Sequence, residues 1–205
     1  MKRGFIFAAG TFFGLRKRPL PGDLVIAADA GYRVCQRLGI VPDLLLGDFD
    51  SMEAPENFPN IRRSPVEKDD TDTMLAVKTA LEQGCDEVYL YGGTGGKRLD
   101  HTLANLQSLV WLSRRGCQGA LIGDGWTARA VTNGMWSFGP EHRGLLSVFC
   151  MGDRAEGVWL RGLKYPLEGA ALTCDFPLGV SNEFTGVAGS VSVERGTLLV
   201  VYYWK

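Results

Sequence analysis

The chain has 205 residues, of which 45% are hydrophobic and 22% charged, and its formal net charge is −1. This composition is typical of a soluble globular protein, and the near-zero charge excludes a general attraction to nucleic acid or to anionic membranes. Apolar runs such as Leu24–Ala28 and Leu198–Tyr203 are too short to cross a bilayer. The apolar run near the N-terminus is too short for a signal peptide, so we interpret it as a first strand. We expect a cytoplasmic protein with no nucleic-acid or membrane partner.

Residues 1–124 alternate between short apolar runs and segments with helical periodicity. The predicted strands are Gly4–Ala9, Leu24–Ala28, Leu44–Gly47, Glu87–Tyr91 and Ala120–Ile122. The predicted helices are Ala30–Leu38, Thr71–Gln83 and Asp100–Arg114, and the third is expected to pack through Leu99, Leu103, Leu106 and Val110. Nearly continuous apolar strands that alternate with helices predict an α/β lobe with a mainly parallel sheet covered on both faces.

After residue 124 the helical periodicity ends. The strand candidates there are Val131, Trp136–Phe138, Leu145–Phe149, Val158–Leu160, Ala170–Thr173, Val191–Val193 and Leu198–Tyr203. Short strands separated by Gly, Pro, Asn and Asp predict a smaller all-β unit, an antiparallel sandwich or barrel. We therefore predict an α/β domain at residues 1–124 and an all-β domain, interpreted as a sandwich, at residues 125–205.

The five cysteines are widely spaced and include no CxxC pair. An odd number without such pairs argues against a disulfide framework and against a zinc site. We expect these cysteines to be buried or inert thiols.

Three predicted loops are rich in carboxylates. Asp29 follows the second strand, Asp48 and Asp50 follow the third, and the segment Glu67–Asp72 leads into the second helix. We expect them in one crevice, because the carboxyl ends of parallel strands meet at one edge of a sheet. Two carboxylates as close as Asp48 and Asp50 repel each other unless a cation joins them. Oxygen ligands without a nearby His or Cys indicate Mg²⁺.

Helix capping is a simpler explanation for any single acidic residue among these. Asp70 or Thr71 can cap the second helix, and Asp100 can cap the third. His101 follows Asp100 directly, and we interpret it as the neighbour of a cap rather than as a general base.

Four glycines within five positions follow the strand predicted at Glu87–Tyr91. Their backbone N–H groups can approach an anion closely before the third helix begins. The candidates are Gly93, Gly95 and Gly96 for backbone contacts with phosphate, and Lys97 and Arg98 for its charge. Arg98 stands where the Walker A pattern needs Ser or Thr and where GxGxxG needs Gly, so neither motif is present. A plain tight turn remains the alternative.

These segments, in this order, resemble the motifs of the thiamine pyrophosphokinase (thiamin diphosphokinase) family. The motifs are an Asp-Gly-Gly-like turn, Gly-Asp-Phe-Asp-Ser, an acidic segment ending in Thr-Asp, and Gly-Gly-x-Gly-Gly-Arg-x-Asp-His. They stand here at residues 29–31, 47–51, 68–72 and 92–101, and residues 179–184 resemble the family's Ser-Asn segment more weakly. Ala30 replaces the first Gly of the first motif, and Lys97 precedes the Arg of the fourth. Neither departure removes a carboxylate.

The resemblance implies an ATP-binding α/β lobe, a thiamine-binding β-sandwich, and a homodimer with active sites between its subunits. It also implies transfer of an intact diphosphate from ATP to the thiamine hydroxyl, which yields thiamine diphosphate and AMP. The β-phosphorus is attacked, so Mg²⁺ is needed to offset charge on the diphosphate and on the departing AMP.

Residue roles follow from the resemblance and from side-chain chemistry. For the nucleotide and the metal we expect Asp48, Asp50 and Asp72 at Mg²⁺ or its waters, Asp29 close by, Asp100 orienting or deprotonating the hydroxyl, and Lys68, Lys97 and Arg98 at phosphate oxygens. For thiamine we expect Ser181 and Asn182 at the aminopyrimidine, with Trp204, or else Trp136 or Trp159, stacking on a ring. An ordinary Ser-Asn turn between strands is the alternative for the first two.

Two other functions fit the same motifs. A pyrophosphokinase for another heteroaromatic alcohol, such as a hydroxymethylpterin, would use the same phosphate machinery. A non-catalytic nucleotide sensor would need fewer carboxylates. For the homodimer, the sequence offers only the apolar strand Leu198–Trp204, which would be an aggregation hazard as a bare edge. A central position in the sandwich explains that pattern equally well.

Overall fold

The computed structural model describes residues 1–47, 58–63 and 70–204. The chain packs as two compact units, one formed by residues 1–108 with 116–124 and the other by residues 109–115 with 125–205. In the described ranges, no helix is long and apolar enough to span a membrane.

The described part of the first unit is built on a sheet of six strands in which every neighbouring pair is parallel. The strands are β1 (Arg3–Phe7), β2 (Leu24–Ala28), β3 (Leu44–Gly47), β4 (Ile61–Arg63), β5 (Glu87–Tyr91) and β6 (Gln118–Ile122). The helices are α1 (Gly31–Leu38), α2 (Asp72–Glu82) and α3 (Leu99–Ser113), and the residues of α3 from Leu109 onward belong to the second unit. The spatial order is β6-β5-β1-β2-β3-β4. Strands β2, β3 and β4 follow one another on one side of β1, and β5 and β6 lie on the other side. The strand order therefore reverses between β1 and β5, and open α/β sheets bind ligands at such a topological switch point.

Side chains on both faces of this sheet are buried, which explains why its strands lack a polar alternation. On one face the rings of Phe5 and Tyr89 stack at 5.2 Å, and those of Phe7 and Tyr91 stack at 5.3 Å. Helix α1 packs on this aromatic face. On the other face Ile6 is fully buried. The parallel strands and the helices of residues 1–124 therefore agree with the sequence pattern, although the short strand β4 was not predicted.

Helix α1 begins very close to the first strand. A Cβ atom at Gly31 would overlap the carbonyl oxygen of Phe7, so only glycine lets the helix start there. The preceding residue, Ala30, has ordinary α-helical backbone angles and needs no glycine. The chain has therefore kept the second glycine of the Asp-Gly-Gly-like turn, which packing requires, and replaced the first.

The predicted buried face of α3 is only partly right, because Val110 is buried as predicted but the first two leucines are not. Leu99 and Leu103 are 70% and 54% exposed. The residues that are buried instead are Asn105, Ser108, Leu109 and Leu112. Asn105 donates from Nδ2 to the carbonyl oxygen of Gly93 at 2.7 Å, and this buried hydrogen bond sets which side of the helix faces inward. Apolar periodicity alone selects the neighbouring stripe of leucines.

The described part of the second unit holds two antiparallel sheets, ordered β12-β9-β14-β7 and β11-β10-β13-β8. The strands are β7 (Trp126–Thr132), β8 (Met135–Phe138), β9 (Leu145–Cys150), β10 (Arg154–Arg161), β11 (Leu167–Thr173), β12 (Gly179–Glu183), β13 (Gly189–Arg195) and β14 (Thr197–Tyr203). One apolar core draws on both sheets through residues such as Leu146, Val148, Val158, Leu160, Val191 and Val200. Strand β14 pairs with β7 and with β9. The C-terminal strand is therefore central, which confirms the second of the two interpretations of its apolar pattern.

The five cysteines all carry free thiols. Cys35, Cys85, Cys117 and Cys150 are buried, and Cys174 is exposed. Burial raises the pKa of Cys35 to about 12 and that of Cys117 to about 11, so these thiols are poor nucleophiles at neutral pH.

The contact between α1 and β1 leads to a stability prediction. Replacing Gly31 with alanine should lower the free energy of unfolding by roughly 1–3 kcal/mol, because the methyl group forces the helix away from the carbonyl oxygen of Phe7. Ala30→Gly is the matched control and should cost no more than about 1 kcal/mol. Chemical denaturation of both variants measures the difference. Equal stability of Gly31→Ala and the unmodified protein would contradict the packing argument.

Candidate active site

A cavity of about 300 Å³ opens at the carboxyl ends of β1, β2 and β5 in the first unit. Its lining residues are Ala8, Ala9, Gly10, Asp29, Thr71, Asp72, Thr73, Gly92, Gly93, Thr94, Gly96, Lys97, Arg98, His101, Thr102 and Asn105. Several predicted site residues thus share one cavity although they come from three separate segments of the chain. The cavity lies at the switch point between β1 and β5, the position that the fold itself favours for a ligand.

The glycine-rich turn Gly92–Gly96 is held by the segment that follows β1. The N–H groups of Gly10 and Thr11 donate to the carbonyl oxygens of Gly92 and Thr94 at 2.8 and 3.0 Å. The Thr11 hydroxyl donates to the carbonyl oxygen of Gly95 at 2.8 Å, and Asn105 binds that of Gly93. These hydrogen bonds occupy the carbonyl groups of residues 92–95.

The N–H groups of the same turn are differently placed. The N–H groups of residues 93–96 donate no hydrogen bond to any acceptor in the part of the chain that the structure describes. A turn with occupied carbonyl groups and free N–H groups has a positive electrostatic character and suits an anion. Helix α3 begins just beyond it, and its N-terminal end adds to the same field.

Asp29 lies at the end of β2 in a strained conformation, with φ at +48°. Its N–H group donates to the carbonyl oxygen of Leu46 at 2.9 Å. A Cβ atom at Gly47 would overlap Oδ1 of Asp29, so the carboxylate lies directly against the end of β3. Non-glycine residues with positive φ are uncommon and often belong to functional sites.

Asp72 is the first residue of α2. Thr71 caps this helix by accepting a hydrogen bond from the N–H group of Met74 at 3.1 Å. A carboxylate in the first turn is also stabilised by the helix dipole. Asp70, only two residues earlier, is bound to Lys78 at 2.5 Å. Asp72 thus faces the cavity, whereas Asp70 belongs to an ion pair.

Arg98 and Asp100 form a bidentate pair at the start of α3. Nε of Arg98 lies 3.0 and 3.1 Å from the two carboxylate oxygens. The hydrogen bond from Arg98 lowers the pKa of Asp100 to about 2, so this carboxylate is ionised at neutral pH and is a weak base. Lys97 lines the cavity and makes no hydrogen bond or ion pair with the described residues. His101 also lines the cavity.

Three of the predicted site residues, Asp48, Asp50 and Lys68, lie outside the described residues. Within the described ranges, no three side chains of His, Cys, Asp or Glu are grouped closely enough to hold a metal ion. Asp29 and Asp72 both line the cavity and are hard oxygen donors of the kind that Mg²⁺ prefers.

Ser181 and Asn182 lie on β12 in the second unit, beside a register shift in its pairing with β9. Ser181 is exposed, with φ at +60°. Asn182 is buried, and its side chain binds the backbone of Tyr165, with Oδ1 accepting from N–H at 3.0 Å and Nδ2 donating to the carbonyl oxygen at 2.6 Å. The amide of Asn182 therefore fixes the backbone next to β11.

The tryptophans proposed for stacking are all partly buried. The guanidinium of Arg129 lies 4.2 Å from the ring centre of Trp136, and that of Arg161 lies 4.7 Å from the ring centre of Trp159. Trp204 donates its backbone N–H to the carbonyl oxygen of Gly125 at 3.1 Å. Two of the three rings therefore already have a cation on one face.

The sequence did not single out Thr11, Thr102 or Asn105. Thr102 and Asn105 line the cavity from α3, and Thr11 supports the glycine turn. Asn105 carried a signal, because it is a polar residue on the same helix face as the apolar Leu109 and Leu112, four and seven positions later. A lone threonine such as Thr11, in a loop, gives no pattern.

The sequence resembles known proteins over most of its length. Residues 21–121 match the family model of the thiamin pyrophosphokinase catalytic domain, and residues 140–198 match that of the thiamin pyrophosphokinase vitamin B1 binding domain. A thiamine pyrophosphokinase of Bacillus subtilis (strain 168) is 30% identical over 185 residues, which cover 87% of this chain and 86% of that protein.

Solved structures agree. The crystal structure of thiamine pyrophosphokinase from Bacillus subtilis superimposes with a TM-score of 0.87 at 27% identity and covers 99% of both chains. That of thiamin pyrophosphokinase from Geobacillus thermodenitrificans gives a TM-score of 0.84 at 25% identity, covering 100% of this chain and 98% of that one. The chain belongs to the thiamin pyrophosphokinase family.

Proposed function

We propose that this chain transfers the diphosphate of ATP to the hydroxyl of thiamine and releases AMP. ATP-dependent diphosphate transfer is the reaction of the family to which the chain belongs. The observation that carries the proposal is the cavity at the switch point, where free N–H groups, two cations and two carboxylates converge. Binding ATP for transfer needs an anion site beside metal ligands, and this cavity offers both.

The phosphates of ATP are the natural ligand of the glycine turn. Its free N–H groups and the start of α3 favour negative charge. Lys97 and Arg98 line the same cavity and add positive charge. Lys68 stays a proposed phosphate ligand, and only the family motif supports it.

Mg²⁺ fits the carboxylates of the cavity. Asp72 and Asp29 line the cavity. We add Asp48 and Asp50 to the proposed metal ligands because of the family motif. When bound, Mg²⁺ would offset charge on the transferring diphosphate and on the departing AMP. Asp29, held against Gly47, and Asp72, held at the start of α2, are presented by rigid elements, as a precise ligand set requires.

In the reaction, the thiamine hydroxyl oxygen forms a bond to the β-phosphorus, and the bond from that phosphorus to the oxygen bridging to the α-phosphorus breaks. AMP leaves with the electron pair of the broken bond, and the hydroxyl proton passes to bulk water. Because Asp100 is bound to Arg98 on two oxygens and its pKa is lowered to about 2, we propose that it orients Arg98 toward the phosphates rather than accepting this proton.

We propose a division of labour in which residues 1–124 bind the nucleotide and residues 125–205, as a sandwich, bind thiamine. The match of residues 140–198 to a vitamin B1 binding domain supports thiamine over a hydroxymethylpterin. Ser181 is exposed and stays our candidate for the aminopyrimidine. Asn182 contributes indirectly, by fixing the backbone of Tyr165.

A homodimer is proposed from an apolar surface on the second unit. Leu145, Phe149 and Tyr203 are 46%, 37% and 39% exposed, and alternate residues of the same strands, such as Leu146 and Val148, point into the core. These three side chains therefore share the outer face of the β9–β14 sheet. A second copy that covers this face would remove an apolar surface from water.

A cytoplasmic location stays a prediction.

The function is tested by incubating the protein with Mg²⁺, thiamine and ATP labelled at the γ-phosphorus. We expect AMP and labelled thiamine diphosphate in equal amounts. Release of ADP would instead indicate an ordinary kinase, and absence of turnover would indicate a nucleotide sensor. A hydroxymethylpterin offered in place of thiamine should remain unmodified.

Asp72→Asn should lower kcat by roughly two orders of magnitude or more, because it removes an anionic metal ligand without changing the shape of the side chain. Asp70→Asn is the matched control and should stay within a few-fold of the unmodified protein, since Asp70 is bound to Lys78. Steady-state kinetics at several Mg²⁺ concentrations measures both. An unchanged kcat and Mg²⁺ requirement in Asp72→Asn would refute the metal assignment.

Phe149→Glu should convert the dimer to a monomer, because it places a charge within the proposed apolar interface. Turnover should fall with it if active sites lie between subunits. Met135→Glu is the control, since Met135 is 62% exposed on β8 of the other sheet. Sedimentation velocity at assay concentrations measures the oligomeric state of both variants. A fully active Phe149→Glu monomer would overturn the dimer proposal.

A further inference from the structure

The glycines of the turn between β5 and α3 serve different purposes. A Cβ atom at Gly92 would overlap a carbonyl oxygen in the segment after β1, and one at Gly93 would lie 2.7 Å from the side chain of Leu121. Gly95 has φ at +77°, and a Cβ atom there would lie 2.6 Å from the ring of Phe13. The fold itself therefore requires glycine at positions 92 and 95, and at position 93 a side chain would fit only if Leu90 and Leu121 moved.

Gly96 has none of these reasons to be glycine. Its φ is negative, and no atom of the described residues lies within 4 Å of the place where a Cβ atom would stand. The residue is exposed and lines the cavity. Glycine carries an entropic cost in the unfolded chain, so alanine at this position would be at least as good for folding.

The surroundings of Gly96 indicate what uses the open space. Its N–H group has no acceptor among the described residues. The next residue, Lys97, also lines the cavity, and its ammonium makes no ion pair with the residues that the structure describes. An open space beside a free N–H group and a cation suits a phosphate oxygen.

We infer that Gly96 is the point at which the diphosphate of ATP comes closest to the backbone, whereas Gly92, Gly93 and Gly95 shape the turn. The inference rests on the proposed function, because it needs ATP in this cavity. It predicts that side chains at position 96 compete with the nucleotide for space and leave the fold untouched.

The test is a size series, Gly96→Ala and Gly96→Leu, compared with the unmodified protein. We expect the KM for ATP to rise several-fold with alanine and more with leucine, while the KM for thiamine and the Tm stay unchanged. Gly95→Ala should lower the Tm, since it creates a clash inside the turn. Gly134→Ala is the neutral control, because Gly134 has a negative φ and a Cβ atom there meets only an ordinary contact at 3.4 Å.

Titration with a non-hydrolysable ATP analogue gives a second readout that does not depend on thiamine turnover. Weaker binding by the two Gly96 variants, in order of side-chain size, supports the inference. Unchanged nucleotide binding by Gly96→Leu overturns it, and so does a lowered Tm in Gly96→Ala, which would show a structural role. Failure of the unmodified protein to form thiamine diphosphate would refute the proposed function instead, so the two failures are distinguishable.

Discussion

The close approach of two backbone segments at the switch point is the constraint on which the rest of the site depends. A Cβ atom at Gly10 would lie 2.5 Å from the carbonyl oxygen of Gly92, and one at Gly92 would overlap the carbonyl oxygen of Ala8. Each segment therefore needs glycine because of the other. Thr11 extends the contact through its N–H and hydroxyl groups. The strands β1 and β5 thus remain tied together beyond their last regular pair, and the turn that follows β5 has little freedom to move.

This contact explains how an anion site exists before any ligand binds. The carbonyl groups of residues 92–95 hold the turn to the β1 segment and to Asn105, and the N–H groups of residues 93–96 are left for the cavity. Preorganised donors of this kind cost no rearrangement when charge arrives. Asp29 and Asp72 reach the same cavity from β2 and α2. One edge of the sheet therefore brings together groups that attract phosphate and groups that attract Mg²⁺, the combination that diphosphate transfer requires.

The sequence predicted those parts of the structure in which one physical signal dominates. Strands buried on both faces, such as β1 and β5, are nearly continuous in apolar residues and were placed within a few residues. The face of α3 was predicted only in part: Val110 is buried, but Leu99 and Leu103 are exposed, and the buried Asn105 donates a hydrogen bond to Gly93 on the side that faces inward. Strand β12 was missed because its register shift and the positive φ of Ser181 interrupt the alternation. The ordered motifs predicted a crevice at this edge of the sheet. No sequence pattern distinguishes Gly96, which has open space beside it, from Gly95, whose surroundings are closely packed.

The most direct test of this account is a crystal structure of the protein with Mg²⁺, thiamine and a non-hydrolysable ATP analogue. We expect oxygens of the β- or γ-phosphate about 3 Å from the N–H groups of the glycine turn, Gly96 included. Mg²⁺ should lie between these phosphates and Asp72. Phosphates bound away from Gly92–Gly96, with the turn unchanged and in contact with solvent only, would contradict the account.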